Sequence, residues 1–203
     1  MKQYVITGIG TEVGKTVVSA IVSEALKATY WKPVQAGELE NTDSKKIERL
    51  TSNVRVLPEA FKLNEPMSPH AAAEIDRVEI TLDSFILPSV ESNLVIEGAG
   101  GILVPINMEG LLYADVFSHW NLPVIIVSRH YLGSINHSLM TAEVLKTRGI
   151  KIAGWIFVGE ETNSSESIIL KVTGLPMIAR IPLVDEVTKE FIAEQASKIA
   201  SKL

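Results

Sequence analysis

"GIGTEVGKT", residues 8–16, decides how the rest of the chain is read. Its end, Gly14-Lys15-Thr16, has the form of a phosphate-binding loop. In the usual G-x-x-x-x-G-K-[ST] spacing, however, the first glycine would fall on Ile9. Glycines stand on either side instead, at Gly8 and Gly10. The segment before it, "YVITG" (4–8), is apolar and β-branched like a buried strand, and "KTVVSAIVSEALKA" (15–28) after it carries apolar residues at helical spacing. A turn between such a strand and helix aims successive backbone N–H groups into one concavity, at the positive end of the helix. Lys15 would then meet the β/γ-phosphates and the Thr16 hydroxyl would bind Mg²⁺. The plainer alternative is a glycine turn without a ligand, but G-K-T opening a helix directly after a strand favours nucleotide. A Rossmann fingerprint is disfavoured because Val13 stands where its third glycine belongs.

Working outward, strand-like runs alternate with helical patterns. "YWKPV" (30–34) reads as a short strand, and "TDSKKIERLTS" (42–52) as a polar helix starting near Thr42 or Asp43. Residues 53–70 read as irregular, with Pro58, Pro66 and Pro69, and "AAAEIDR" (71–77) and "TLDSFILPS" (81–89) as short helices. "NLVIEGAGG" (93–101) and "LPVIIVS" (122–128) are buried strands. "SINHSLMTAEVLKTRG" (134–149) is a helix closed by Gly149. "IAGWIFV" (152–158) and "MIARIP" (177–182) are strands, and "DEVTKEFIAEQASKIASKL" (185–203) is a closing helix. Near-continuous apolar strands between helices predict an α/β fold. Its mostly parallel sheet would be flanked by helices on both faces, as one P-loop NTPase-type domain over 1–203. Ligands of such sheets bind beyond the carboxyl ends of the strands, here just after residues 8, 34, 97, 128, 158 and 182.

Composition narrows the function classes. The net charge is −5 and no basic stripe stands out, so nucleic acid is not an expected partner. With no cysteine in 203 residues, disulfides, thiolate catalysis and zinc–thiolate sites are excluded. No apolar run approaches the roughly 18 residues of a membrane span, and the first ten residues have no leader pattern. The expected product is a soluble cytoplasmic protein. The four histidines, His70, His119, His130 and His137, include no i, i+4 metal pair.

At the strand ends three further residues stand out. Glu97 closes a buried strand, where an unpaired carboxylate would be costly; a magnesium ion would offset that, and a phosphate-loop enzyme needs a second acidic group near the metal. The alternative is a solvated glutamate before a turn. Asp43 taken alone is an ordinary helix-capping aspartate. Lys32, between Trp31 and Pro33, either covers apolar surface with its stem or aims a cation at developing negative charge.

Together these pieces resemble the dethiobiotin synthetase family. The matches are "GTEVGKT" (10–16), "KPVQAG" (32–37), "TDS" (42–44), "SPHAAA" (68–73), "VIEGAGG" (95–101), "LGSINHS" (132–138), "GW" (154–155) and "IP" (181–182), spread over most of the chain. The stretched glycine spacing is a mark of that family's phosphate loop. The resemblance implies an ATP- and Mg²⁺-dependent cyclo-ligase of biotin synthesis. Such an enzyme carboxylates 7,8-diaminopelargonate, phosphorylates the carbamate and closes the cyclic urea. It implies Lys32, Lys15 and Thr11 as catalytic residues, and Thr16, Asp43 and Glu97 as metal ligands. Glu12, Val13, Gly14, Lys15, Thr16 and Val17 would wrap the phosphates. Glu97, Gly98, Ala99 and Gly100 would line the junction with substrate, and Pro182, Leu183 and Val184 the base.

The family resemblance further implies a homodimer with sites at the subunit interface, where Gly133, Ser134, Ile135 and Asn136 would offer helix N–H groups to the substrate carboxylate. Simple capping by Ser134 is the alternative there. Three departures stand out. Ala36 replaces a family Ser or Thr on the substrate side. Val158 and Gly159 stand where the family's adenine reader, commonly an Asn-Asp or Asn-like pair, is expected, and neither side chain makes an amide contact. The run from "VSRHY" to Leu132 also differs, with Tyr131 beside the dimer-type loop. A rival class is the P-loop switch or partition ATPase, whose members often carry a second lysine early in the loop. Ile9, Gly10 and Thr11 offer none. A cobyrinate-type amide ligase would need a glutaminase cysteine, which this chain lacks.

Overall fold

The computed structural model describes residues 1–203. β1 (Gln3–Gly8) leads into α1 (Lys15–Leu26), β2 (Thr29–Trp31), β3 (Val34–Ala36), α2 (Asp43–Leu50), β4 (Arg55–Val56), β5 (Phe61–Leu63) and α3 (Pro69–Asp76). β6 (Leu94–Gly101), α4 (Tyr113–Trp120), β7 (Val124–Arg129), α5 (Ser134–Thr147), β8 (Ile152–Val158), α6 (Asn163–Thr173), β9 (Met177–Ile181) and α7 (Lys189–Ile199) complete the chain. Seven strands form one parallel sheet in the order β4-β2-β6-β1-β7-β8-β9; β3 and β5 pair in a separate small sheet. The central strands are apolar throughout. Val5, Ile6, Leu94–Ile96, Val124–Val127 and Trp155–Phe157 are fully buried, as a sheet covered on both faces requires.

Topology locates the ligand side. From β1 the chain steps outward through α1 to β2 and through α2 to β4. From β6 it steps the other way through α4, α5 and α6. Right-handed crossovers running in opposite directions put their helices on opposite faces. α1 packs with α2 and α7, and α5 with α6. The direction reverses between the neighbours β6 and β1, so the crevice beyond their carboxyl ends is the switch point where such sheets bind ligands.

Four local expectations are corrected. The strand expected over 30–34 is split, because Pro33 has no N–H to donate; β2 stops at Trp31 and β3 departs to pair with β5. Within 53–70, β4 and β5 form two short edge strands rather than irregular chain. The helix expected over 81–89 is a single 3₁₀ turn, Leu82–Ser84. Glu97 does not end its strand: β6 continues to Gly101, with a register irregularity opposite the end of β1. Two helices, α4 and α6, had no signal in the sequence pattern. α4 lacks a Ser, Thr, Asp or Asn before it and is instead closed by Asp115, whose Oδ2 accepts from the Leu112 N–H at 2.8 Å. α6 opens "NSSES", residues of modest helix propensity.

Candidate functional site

The loop after β1 turns back over the end of its own strand. A Cβ on Gly8 would lie 2.6 Å from Val13 Cγ2 and 2.9 Å from the Gly10 carbonyl, whereas one on Gly10 would meet nothing. Of the two glycines flanking the displaced position, Gly8 is therefore the one the loop requires. Glu12 takes φ 57°, a left-handed conformation uncommon outside glycine, and Gly14 follows at φ 93° as the N-cap of α1. Val13 turns inward and is buried.

This loop forms one wall of a cavity of about 700 Å³. Thr11, Glu12, Gly14, Lys15, Thr16 and Val17 line it from the loop, Lys32 and Ala36 from beyond β2, Asp43 from α2, and Glu97, Ala99 and Gly100 from β6. Gln35, Glu38, Met67 and Ser68 line it too; Gln35 and Ser68 fall within the matching stretches 32–37 and 68–73 but were not singled out, and Glu38 and Met67 carried no signal. Gln35 has a clear structural task. Its Nε2 donates to the Gly37 carbonyl at 2.9 Å, and its Oε1 accepts from the Asp43 N–H at 3.2 Å, which ties the start of α2 to β3.

At the floor a charged network converges. The Lys32 ammonium lies 2.8 Å from Asp43 Oδ2 and 3.3 Å from Glu97 Oε1. Thr16 Oγ1 donates to Glu97 Oε1 at 3.0 Å, and the Tyr30 hydroxyl donates to Glu97 Oε2 at 2.9 Å. Thr42, not Asp43, caps α2: its side chain accepts from the Lys45 N–H at 3.2 Å, leaving the Asp43 carboxylate free to face Lys32. Burial alone would lower the Lys32 pKa, but the Glu97 and Asp43 carboxylates together hold it above the usual lysine value. Burial works against the Asp43 carboxylate as well, and Lys32, with Lys46 and the Thr16 hydroxyl, more than offsets it and keeps its pKa low. Lys15 differs. Its ammonium donates to the Gly10 carbonyl at 2.7 Å, and burial pushes its pKa down to about 8. Burial, then the Glu97 carboxylate, raises the Tyr30 phenol well above the usual tyrosine value.

Thr16, Asp43 and Glu97 are hard oxygen donors gathered around one corner, which suits Mg²⁺. No group of three or more His, Cys, Asp or Glu is placed to hold a metal.

Other expected site residues lie outside this cavity. Gly98 does not line it; a Cβ there would press within 2.9 Å of Phe117. Pro182, Leu183 and Val184 follow β9 at the surface. A link runs from them to the loop through β8, since Gly14 backs onto Val158 and Gly159 approaches Leu183. Gly133 is the N-cap of α5 and makes no side-chain cap, Ser134 is buried as its first residue, and Ile135 and Asn136 follow on the helix. Capping by the Ser134 side chain is thus not what starts that helix.

A parallel sheet with this loop at its switch point, and lysine, threonine and carboxylates gathered beside it, defines a P-loop NTPase. A family model described as an AAA domain matches residues 2–191. The ATP-dependent dethiobiotin synthetase BioD of Christiangramia forsetii is 53% identical, over 97% of this chain and 97% of its own length. That of Cytophaga hutchinsonii is 48% identical, over 98% and 97%. Among solved structures, the septum site-determining protein MinD of Pyrococcus horikoshii, complexed with Mg-ADP, aligns with a TM-score of 0.63 at 15% identity. It covers 99% of this chain and 93% of its own, a likeness of fold alone. The chain belongs to the ATP-dependent dethiobiotin synthetase family.

Proposed function

We propose that this protein closes the cyclic urea of dethiobiotin from 7,8-diaminopelargonate, CO₂ and ATP, releasing ADP and phosphate, as a cytoplasmic homodimer. The observation that carries the reading is the Lys32 ammonium, held 2.8 Å from Asp43 and 3.3 Å from Glu97 in the same cavity as the phosphate loop. One amine of the diamine takes up CO₂ as a carbamate and loses a proton. A carbamate oxygen attacks the γ-phosphorus and ADP leaves, giving a carbamic–phosphoric anhydride. The second amine attacks the carbonyl carbon, the C–O bond to phosphate breaks, and the ring closes.

An anionic carbamate must approach an anionic triphosphate, so cations and positioning do most of the work. The loop N–H groups and Lys15 hold the polyphosphate. Lys32 faces the transferred phosphoryl group and the carbamate, with Thr11 beside the reacting amine. Thr16, Asp43 and Glu97 would hold Mg²⁺, which when bound neutralises charge on the β- and γ-oxygens. The N–H groups of Gly133, Ile135 and Asn136 at the start of α5 would hold the substrate carboxylate of the neighbouring subunit, the Ser134 N–H being given to the Tyr131 carbonyl at 2.9 Å.

Incubation with the diamine, bicarbonate, Mg²⁺ and ATP should yield dethiobiotin in step with ADP. Phosphate release that proceeds equally without the diamine would instead mark a switch ATPase.

A further inference from the structure

Glu97 is 1% exposed, and its two oxygens have different partners. Oε1 takes the Thr16 hydroxyl at 3.0 Å and the Lys32 ammonium at 3.3 Å. Oε2 takes one group, the Tyr30 hydroxyl at 2.9 Å, and that phenol has no other hydrogen-bond partner. Tyr30 is fully buried on β2, which runs parallel to β6 in a register that sets Tyr30 beside Val95 and Trp31 beside Ile96.

Packing does not call for the hydroxyl. A phenylalanine would fill the same volume, and a buried polar group without a task is a burden on the fold. Tyr113 makes the contrast: it is equally buried in the neighbouring core, and its hydroxyl finds no partner. The torsion that turns a glutamate's carboxylate about its own axis is broad. Without the phenol, either oxygen could swing toward Thr16 and Lys32.

We propose that Tyr30 is a positioning residue: its phenol anchors Glu97 Oε2 so that Oε1 alone is presented to Thr16, Lys32 and the metal-binding corner of the cavity. The proposal rests on Glu97 being a metal ligand, as in the function proposed above. A carboxylate locked in this way meets Mg²⁺ through one oxygen in a fixed direction, which suits an ion that demands near-ideal octahedral geometry. Partners that orient a metal ligand are typically worth about 10- to 100-fold in metal affinity or activity.

The test compares Tyr30→Phe, Glu97→Gln and the double variant in the full chain, with circular dichroism to verify folding. For each, the Mg²⁺ concentration giving half-maximal dethiobiotin formation is measured at saturating ATP and diamine. The ATP dissociation constant is measured by calorimetry with Mg²⁺ and again with chelator. Tyr30→Phe should raise the half-saturating Mg²⁺ about 10-fold or more and leave ATP binding in chelator unchanged. The double variant should be no worse than Glu97→Gln alone, since both changes act through one carboxylate. A purely structural tyrosine would lower thermal stability and weaken ATP binding equally with and without Mg²⁺, and that result overturns the proposal. So does an unshifted Mg²⁺ requirement in Tyr30→Phe when Glu97→Gln raises it. If Glu97→Gln itself leaves the Mg²⁺ requirement unchanged, the metal role of Glu97 falls, and the role of Tyr30 falls with it.

Discussion

Lys15 and Lys32 enter one cavity with the same charge and opposite surroundings. Burial dominates at Lys15 and brings its pKa to about 8, while two carboxylates outweigh burial at Lys32. A polyphosphate favours the protonated form of Lys15, so its binding takes up a proton wherever the free protein has lost one. ATP affinity should therefore be flat below about pH 8 and fall above it, by up to about tenfold per pH unit, until the bound-state pKa is reached. Calorimetry across pH 7–10, in buffers of different ionisation enthalpy, would read both the affinity and the proton uptake. Lys32→Met removes the cation from between Asp43 and Glu97, leaving Asp43 with Lys46 at 3.4 Å and the buried Glu97 with hydroxyl partners but no counter-charge. A stability loss of about 3 kcal/mol is expected in thermal or urea unfolding, with turnover down about 10²- to 10³-fold and ATP binding close to that of the unaltered protein. Lys15, Thr16, Lys32 and Glu97 stood out in the sequence because charged or hydroxyl residues near strand ends and helix starts are chemically conspicuous; Asp43, taken alone a helix cap, entered the site only through the family resemblance. Tyr30 and Gln35 did not stand out. Their roles depend on which strand lies next to which, and nothing local in "TYWKPVQAG" states that β2 neighbours β6.

The elements explain what supports the nucleotide's other end. Val158 closes β8 directly behind Gly14, and Gly159 approaches Leu183 after β9, so aliphatic side chains and backbone stand where an amide reader was expected. Sites without a dedicated side-chain hydrogen bond discriminate weakly, by about 10- to 200-fold at most. GTP and CTP should therefore support dethiobiotin formation with kcat/KM within about two orders of magnitude of ATP. A preference for ATP of 10⁴ or more would show that a base reader exists elsewhere. The long strands and helices were readable from their periodicity, β1, β6, β7, β8, α1 and α5 above all. The short ones were not: β4 and β5 are two and three residues long and exist only because a partner strand is present, α4 begins without an N-terminal signal residue, and α6 opens on residues of modest helix propensity.

For the whole molecule, apolar side chains left in water around the start of α5 bear on assembly. Leu132 is fully exposed, and Tyr131, Ile135 and Met140 lie partly exposed beside it on the same loop and helix. Apolar side chains grouped in water in this way favour burial against another surface. In the proposed homodimer the same patch on each subunit would meet its copy. Leu132→Asp should then shift sedimentation from dimer to monomer and lower activity, leaving ATP binding by each subunit intact.

The parallel sheet carries one more consequence. β1 is the first strand of the chain, yet its bonds are to β6 at Leu94–Gly101 and to β7 at Val124–Val127. On a ribosome, the segment that ends in the phosphate loop stays unpaired until β6 has emerged, and lacks its second neighbour until β7 follows. A product that stopped before β6 would thus carry the phosphate-loop motif without the strand that supplies Glu97 and closes the cavity beside it.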